Sequence, residues 1–439
     1  MQIKIEKMIY GGDGLGRLPA DEQGRGKTVF VPFVLADETA EVRALETKPG
    51  FIRAEVTEIV QRSAKRSEAG CQYYGSCGGC HYQHTSYEEQ LQIKAGILRE
   101  TLARGAKLEL PVELQLHAAE PWHYRNRTRL KVRTAPEFAA GYHLHRSHHL
   151  LPVRECPISS PLINRAIAAL WAAGEAGEVA ANIREVQFFA AQDDAGALLE
   201  VVAASDLSKP ELEGFAAAMQ SRVPEIRGVA AFEMTRKQDD AEATGPAESA
   251  ARGVLFAVGD TTLETQAAGA TFKVSAGSFF QTNRFLVDEL VKVAIGDAEG
   301  KSAFDLYAGA GLFSVPLARR FTKVTAVEAA YYSSMDLARN IPENAKCVRA
   351  TTEEFLRGVG GARPELIVVD PPRAGLGEKT AQALGRMHAS RLTYVSCDPA
   401  TLSRDLKVLL QSGFRVEQAH LVDLFPQTYH METVFCLVR

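Results

Sequence analysis

Ala303-Phe304-Asp305-Leu306-Tyr307-Ala308-Gly309-Ala310-Gly311 is the stretch on which the fold turns. Its first half reads as a buried strand, its second half as a glycine turn, and a helical run follows from Leu312 to Arg320. The next strand, Lys323 to Val327, ends at Glu328, and Leu366 to Val369 and Leu392 to Val395 are two more, separated by helical patterns. Strand and helix in alternation predict an α/β unit with a parallel, doubly wound sheet. The last two runs, Arg415 to Val422 and Thr433 to Val438, have no helix-length segment between them and are expected to pair antiparallel at the sheet edge. Glycines after the first strand let a ligand approach the backbone. The third glycine of a dinucleotide fingerprint is missing, whereas Glu328 at the second strand end suits ribose hydroxyls. The pair fits an adenosine-type cofactor such as S-adenosylmethionine.

Two loops fall where open α/β sheets carry their sites, at the carboxyl ends of strands. One is Asp370-Pro371-Pro372-Arg373, the other Ser396-Cys397-Asp398-Pro399. A lone cysteine is usually a structural thiol and an acid-proline loop an ordinary turn. Two such loops on one rim favour a shared site, with Cys397 as candidate nucleophile. Glu432, in His430-Met431-Glu432-Thr433, is the candidate proton acceptor. Taken singly it reads as an edge-strand charge, and His430 as a surface histidine. Cys347 and Cys436 read as core residues.

The remainder of the chain has a different texture. Residues 1–60 alternate short β-rich runs with turns, and Gly11-Gly12-Asp13-Gly14 reads as a hairpin loop. Val29 to Phe33, Glu41 to Arg43 and Ile52 to Val56 read as strands of a small barrel, either a plain β-domain or an oligonucleotide-binding one. Residues 61–270 hold the cysteines Cys71, Cys77, Cys80 and Cys156, a basic strand, and a polar stretch from Gln238 to Gly253 that reads as a surface loop. Four soft thiols among glycines suit an iron–sulfur cluster or a tetrahedral zinc, and spacing leaves both open. Arg125, Arg127, Arg129, Lys131 and Arg133 stand at every second position, so at strand period they share one face. That face is expected to meet a polyphosphate backbone, with His143 to His149 extending it. The alternative is a solvated face with acidic neighbours. The formal charge of the 439-residue chain is only −4, so nucleic-acid binding must come from a local patch. With no apolar run of membrane-spanning length and no signal peptide, a cytoplasmic protein with no membrane association is expected.

Several of these pieces occur together. Asp305-Leu306-Tyr307-x-Gly309-x-Gly311, Ser278-Phe279-Phe280-Gln281-Thr282-Asn283, Asp370-Pro371-Pro372-Arg373-Ala374-Gly375, Ser396-Cys397-Asp398-Pro399 and Phe425-Pro426-Gln427-Thr428-x-His430-x-Glu432-Thr433 lie between residues 278 and 433, and the resemblance they carry extends over nearly the whole chain. In combination the chain resembles the RNA 5-methyluridine methyltransferase family. The resemblance implies three units. These are a TRAM barrel of OB type over 1–60, a β-rich central domain over 61–270 and a Rossmann-like class I methyltransferase domain over 271–439. It implies that Cys397 attacks C6 of a uracil and that Glu432 removes the C5 proton. It further places Gln281, Tyr307, Glu328 and Asp370 at S-adenosylmethionine, and a 4Fe-4S cluster on Cys71, Cys77, Cys80 and Cys156. The barrel and the cysteines resemble the ribosomal-RNA branch, so 23S rRNA is the expected substrate, tRNA the alternative, and a monomer the expected state. The chain departs from the family at Leu312 and Thr351, where polar residues and Asn are usual near the cofactor. Two rival classes stay open. One is an amino-group methyltransferase, which usually carries an aromatic residue where this chain has Arg373. The other is an RNA-binding iron–sulfur protein without methylation activity.

Overall fold

Alternating apolar positions close the amino-terminal segment on itself. The computed structural model, which describes residues 1–19, 26–204, 206–234 and 253–439, shows β1 (Gln2–Met8), β2 (Asp13–Arg17), β3 (Thr28–Pro32), β4 (Thr39–Thr47) and β5 (Phe51–Gln61) in a closed barrel of order β1-β2-β3-β5-β4. Ile3, Ile5, Val29, Val31, Val42 and Ile52 fill its interior. Gly11 and Gly12 form the β1–β2 turn at φ 104° and 89°, a conformation that side-chain-bearing residues rarely adopt.

Helix α1 (Tyr87–Gly105) starts at Ser86, whose hydroxyl accepts from the Glu89 N–H, and leads to β6 (Leu114–His117). A seven-stranded sheet follows: β7 (Arg127–Arg133), β8 (Ala139–His143), β9 (Leu150–Pro152), β10 (Ile183–Ala190), β11 (Ala197–Ala203), β12 (Ile226–Glu233) and β13 (Val254–Gly259), in the order β13-β12-β11-β10-β7-β8-β9. Helices α2 (Pro161–Glu175) and α3 (Lys209–Arg222) bury Leu170, Trp171 and Phe215 in one core with Phe188 and Leu199 of the sheet. The expected polar loop at residues 238–253 lies, up to its last position, outside the described residues.

The basic strand is real, and part of its charge is met inside the fold. Lys131 and Arg129 pair with Glu185 on the neighbouring strand β10, Arg129 at 3.4 Å, and Arg129 donates to Gln187 at 3.0 Å. Arg127 is buried, stacks 4.2 Å over the Phe189 ring and donates to the Ser278 carbonyl at 2.7 Å, while Arg125 donates to the Arg127 carbonyl at 2.7 Å. Cations on one strand face call for compensation, and an adjacent strand supplies it as readily as a phosphate chain. One sequence window cannot show which. Part of the histidine hairpin packs within the fold: His145 lies 4.8 Å from Phe33 of the barrel, and Arg146 pairs with Asp13 at 2.5 Å.

Hairpin β14 (Thr262–Ala267) and β15 (Ala270–Ser275) and helix α4 (Val287–Ile295) precede the carboxy-terminal sheet. Its strands are β16 (Gly300–Leu306), β17 (Phe321–Glu328), β18 (Ala345–Arg349), β19 (Leu366–Val369), β20 (Arg391–Ser396), β21 (Arg415–Val422) and β22 (Glu432–Val438), ordered β18-β17-β16-β19-β20-β22-β21-β6. β16 to β20 run parallel, and β22 is antiparallel to both its neighbours. The final two strands pair as expected, but they do not end the sheet: β6 adds to β21 in parallel and covers that edge. The expected helix over 312–320 shrinks to α5 (Ser314–Leu317), and α6 (Tyr331–Asn340), α7 (Thr352–Gly358), α8 (Glu378–Arg386) and α9 (Pro399–Gln411) follow between the strands. Pro316, which has no N–H to donate, sits inside it. Among the described residues no helix is long and apolar enough to cross a membrane.

Candidate active site

Strand order decides what meets at the rim. β20 ends at Ser396, and Asp398 caps helix α9 (Pro399–Gln411) by accepting from the N–H groups of Ala400 and Thr401 at 3.0 and 2.9 Å. Cys397 is therefore pinned between a strand end and a helix start. Opposite it β22 begins: Ser396 pairs with Thr433, and the Thr433 hydroxyl donates to the Ser396 carbonyl at 3.0 Å. Continuing that register by one residue sets Glu432 beside Cys397. On the other side β19 ends at Val369 and delivers Asp370, followed by Arg373, which hydrogen-bonds Nδ1 of His430 at 3.1 Å.

The electrostatics of these groups agree with the register. Burial pushes the Cys397 thiol far up, and the neighbouring Glu432 and Asp370 add to it, while Arg373 opposes. Burial also raises the Glu432 carboxyl well above the ordinary range, with Asp370 adding and Arg373 opposing. Asp370 is pushed up to about 7, first by burial and then by Asp305. A desolvated thiol and carboxyl on adjacent strands, faced by one guanidinium, form a site poised for paired proton chemistry.

The cofactor side lies on the neighbouring strand ends. Gly309 and Gly311 hold φ 54° and 99° after β16. Glu328 closes the turn, its carboxylate accepting from Gly309 N–H at 2.8 Å and Ala330 N–H at 2.6 Å, which leaves lone pairs for hydroxyls. Asp305 is fully buried, bonds the Ser314 hydroxyl through Oδ2, and has Oδ1 without a partner among the described residues; the buried Ser278 hydroxyl has none either. Tyr307 follows at φ 63°, and Gln281 is buried. An orphaned carboxylate oxygen on the strand that leads into a glycine turn fits a polar ligand that supplies its partner. The two departures have structural explanations: Leu312 is buried in the sheet core, and Thr351 caps helix α7 (Thr352–Gly358) through a capping box with Glu354.

Three residues escaped sequence reasoning. Tyr10, from the turn after β1, places its hydroxyl 3.5 Å from the Cys397 carbonyl, 387 positions away in the chain. Its ring packs edge-on against Tyr429 at 5.4 Å, and His81 meets Tyr429 at 4.6 Å. Tyr429, inside the Pro426-to-Glu432 motif, carried a usable signal; Tyr10 and His81 carried none. His430 is no free surface residue: it stacks on Tyr429 at 4.1 Å, and burial lowers its basicity well below the usual histidine value.

The four cysteines of the central segment are all free and half-buried. Burial raises the Cys71 thiol, and Cys156 adds to it; the Cys77 thiol is pushed up to about 11 by burial, with Cys156 and Cys71 adding. Cys80 is raised by burial, then by Cys156, Cys77 and Cys71, so the four lie within electrostatic reach of one another. Gly79 N–H points at Cys77 Sγ, 3.4 Å away. Among the described residues no group of three or more His, Cys, Asp or Glu side chains is arranged to hold a metal ion.

A doubly wound sheet in this strand order, with a glycine turn and an acid on adjacent strand ends, suits an S-adenosylmethionine-dependent methyltransferase. Residues 257–439 match the profile of the tRNA (uracil-5-)-methyltransferase family, and residues 1–57 match the TRAM domain. The chain is 30% identical over 446 residues to a protein of Aquifex aeolicus described as an uncharacterized RNA methyltransferase, covering 100% of this chain and 98% of that one. It is 30% identical over 454 residues to a 23S rRNA (uracil(1939)-C(5))-methyltransferase of Chromohalobacter salexigens, covering 100% and 89%. A tRNA (uracil-54, C5)-methyltransferase of Pyrococcus abyssi, solved with S-adenosyl-L-homocysteine, shares the fold at a TM-score of 0.75 and 22% identity, each chain covered fully. The chain belongs to the uracil-C5 RNA methyltransferase family.

Proposed function

We propose that this protein methylates C5 of a uridine in 23S rRNA, through a covalent bond between Cys397 and C6 of the ring. The observation that carries this reading is the register of β20 and β22, whose last pair, Ser396 with Thr433, lies next to the half-buried Cys397 on one strand and the buried Glu432 on the other. Uracil C5 is a poor nucleophile until C6 is saturated. The Cys397 thiolate adds to C6, and the ring electrons collect on C5 and O4. S-adenosylmethionine supplies the electrophilic methyl group that C5 takes. Glu432 then removes the remaining C5 proton, the C5–C6 double bond reforms, and the Cys397–C6 bond breaks to return the thiolate. The target base must leave its stack to reach the thiol, so a splayed or single-stranded uridine is required. Gln281, Tyr307, Glu328 and Asp370 hold the cofactor beside this rim, and the barrel brings the RNA. The protein acts as a cytoplasmic monomer.

The four central cysteines hold a 4Fe-4S cluster in this reading. In such a cluster each thiolate binds its own iron, so the four sulfurs need proximity rather than convergence on one ion. Substituting Cys80 with alanine is expected to remove iron, acid-labile sulfide and visible absorbance together, read by metal analysis and spectroscopy. Stoichiometric zinc in the parent protein contradicts the cluster.

Substrate class is tested by incubating unmodified 23S rRNA and bulk tRNA separately with labelled S-adenosylmethionine and reading digested nucleosides by mass spectrometry. 5-Methyluridine in rRNA supports the proposal. Product only in tRNA keeps the chemistry and overturns the substrate.

The pH profile follows from burial. The productive forms of Cys397 and Glu432 are ionised, and both groups have raised pKa values, so kcat/KM rises with pH. Arg373 opposes both shifts. Arg373→Ala should therefore move the rising limb to higher pH by roughly 1 unit, the lower end of what an opposite charge contributes. An unmoved limb contradicts this.

A further inference from the structure

The segment between β21 and β22 has no helix or strand of its own, yet four consecutive carbonyls in it, from Leu424 to Gln427, are taken. Asn283 Nδ2 donates to Leu424 O at 3.0 Å, Lys94 Nζ to Phe425 O at 3.0 Å, and the Tyr124 hydroxyl to Pro426 O at 3.1 Å. The N–H groups of His81 and Tyr82, next to Cys80, donate to Gln427 O at 2.7 and 3.0 Å. Gln427 sits at φ 67° and is buried. It pairs reciprocally with Gln90 of α1: Gln90 Nε2 donates to Gln427 Oε1 at 2.9 Å, and Gln427 N–H donates to Gln90 Oε1 at 2.9 Å. One helical turn on, the fully buried Lys94 pairs with Asp423 at 2.6 Å.

Four consecutive carbonyls held by donors from outside the sheet leave the loop one low-energy course, because a buried polar group without a partner is costly. That loop runs directly into Glu432. None of these hydrogen bonds involves Cys397 or Glu432. A buried glutamine on the packed face of α1 has no use for the helix itself, and its amide is spent wholly on Gln427 and on the Thr85 carbonyl, 3.2 Å away.

We propose that Gln90 and Gln427 are a positioning pair for proton removal, through which α1 and the cysteine segment fix Glu432 over the C5 proton. The proposal rests on the reading of Glu432 as the base. It assigns the pair to one step: attack by Cys397 and methyl transfer proceed without it, and release of the adduct does not.

5-Fluorouridine RNA separates these steps, since fluorine in place of the C5 hydrogen cannot leave as a proton and the methylated adduct persists. Gln90→Leu keeps volume and removes the amide. It should form the fluorouridine adduct at close to the parent rate, while release of 5-methyluridine from uridine RNA slows about 10²-fold, as a misplacement of order 1 Å does. Protein–RNA adduct should then build up on uridine RNA. Equal loss of adduct formation and release, or loss of neither, overturns the proposal. If Gln90→Leu does not fold, Gln90→Asn carries the same test with a shortened amide. Glu432→Gln in parallel distinguishes the premise: release at the parent rate there refutes the base assignment itself, whereas a stall there without one in Gln90→Leu refutes only the positioning pair.

Discussion

Cys397→Ala yields no detectable 5-methyluridine in RNA, with S-adenosylmethionine binding retained. The loss expected is at least about 10⁴-fold, because the covalent route is the only source of electron density at C5 and enzymes of this kind owe at least 10⁶-fold to their chemistry. The variant removes one sulfur from a half-buried position between β20 and α9. The Asp398 cap and the Thr433 bond to Ser396 are made by other atoms, so the rim persists. Binding of labelled cofactor, measured beside methyl transfer, separates lost chemistry from lost fold. An amino-group methyltransferase would keep its rate in this variant. Methyl transfer at even a tenth of the parent level would exclude Cys397 as the nucleophile.

Glu432→Gln stalls after methylation. The amide fills the same volume at the start of β22 but accepts no proton, so turnover falls by about 10² to 10⁴-fold, the usual contribution of a placed base. The distinguishing result is what accumulates: a covalent complex of protein and methylated RNA, stable in denaturing gels. Loss of turnover without that complex would mean that Glu432 acts before the adduct forms. Glu432 lies buried with Asp370 and Cys397 around it, and Arg373 is the cation opposing both raised groups. Neutralising Glu432 should also ease formation of the Cys397 thiolate, so adduct formation in this variant moves to lower pH.

Much of this site could be read from short windows, because strand ends in a doubly wound sheet are fixed by local pattern. The strand before Gly309, the acid at Glu328 and the loops at Asp370 and Cys397 each announce themselves within a few residues. What escaped depends on contacts between distant segments. Tyr10 reaches Cys397 only because the barrel docks on the sheet. β6 covers an edge more than three hundred residues away in the chain. The counter-charge of the cationic strand was hidden for the same reason: Glu185 lies on β10, which no window around Arg129 contains. Glu432 was the intermediate case. Alone it was an ordinary edge charge, and only the pairing of Ser396 with Thr433 turned it into a partner of the thiol.

The most direct test is to incubate the protein with 5-fluorouridine-substituted 23S rRNA and S-adenosylmethionine, digest it, and map the adduct by mass spectrometry. A methylated fluorouridine attached to the peptide containing Cys397 is the predicted result. No adduct, or one on any other of the seven cysteines, would contradict covalent catalysis by Cys397.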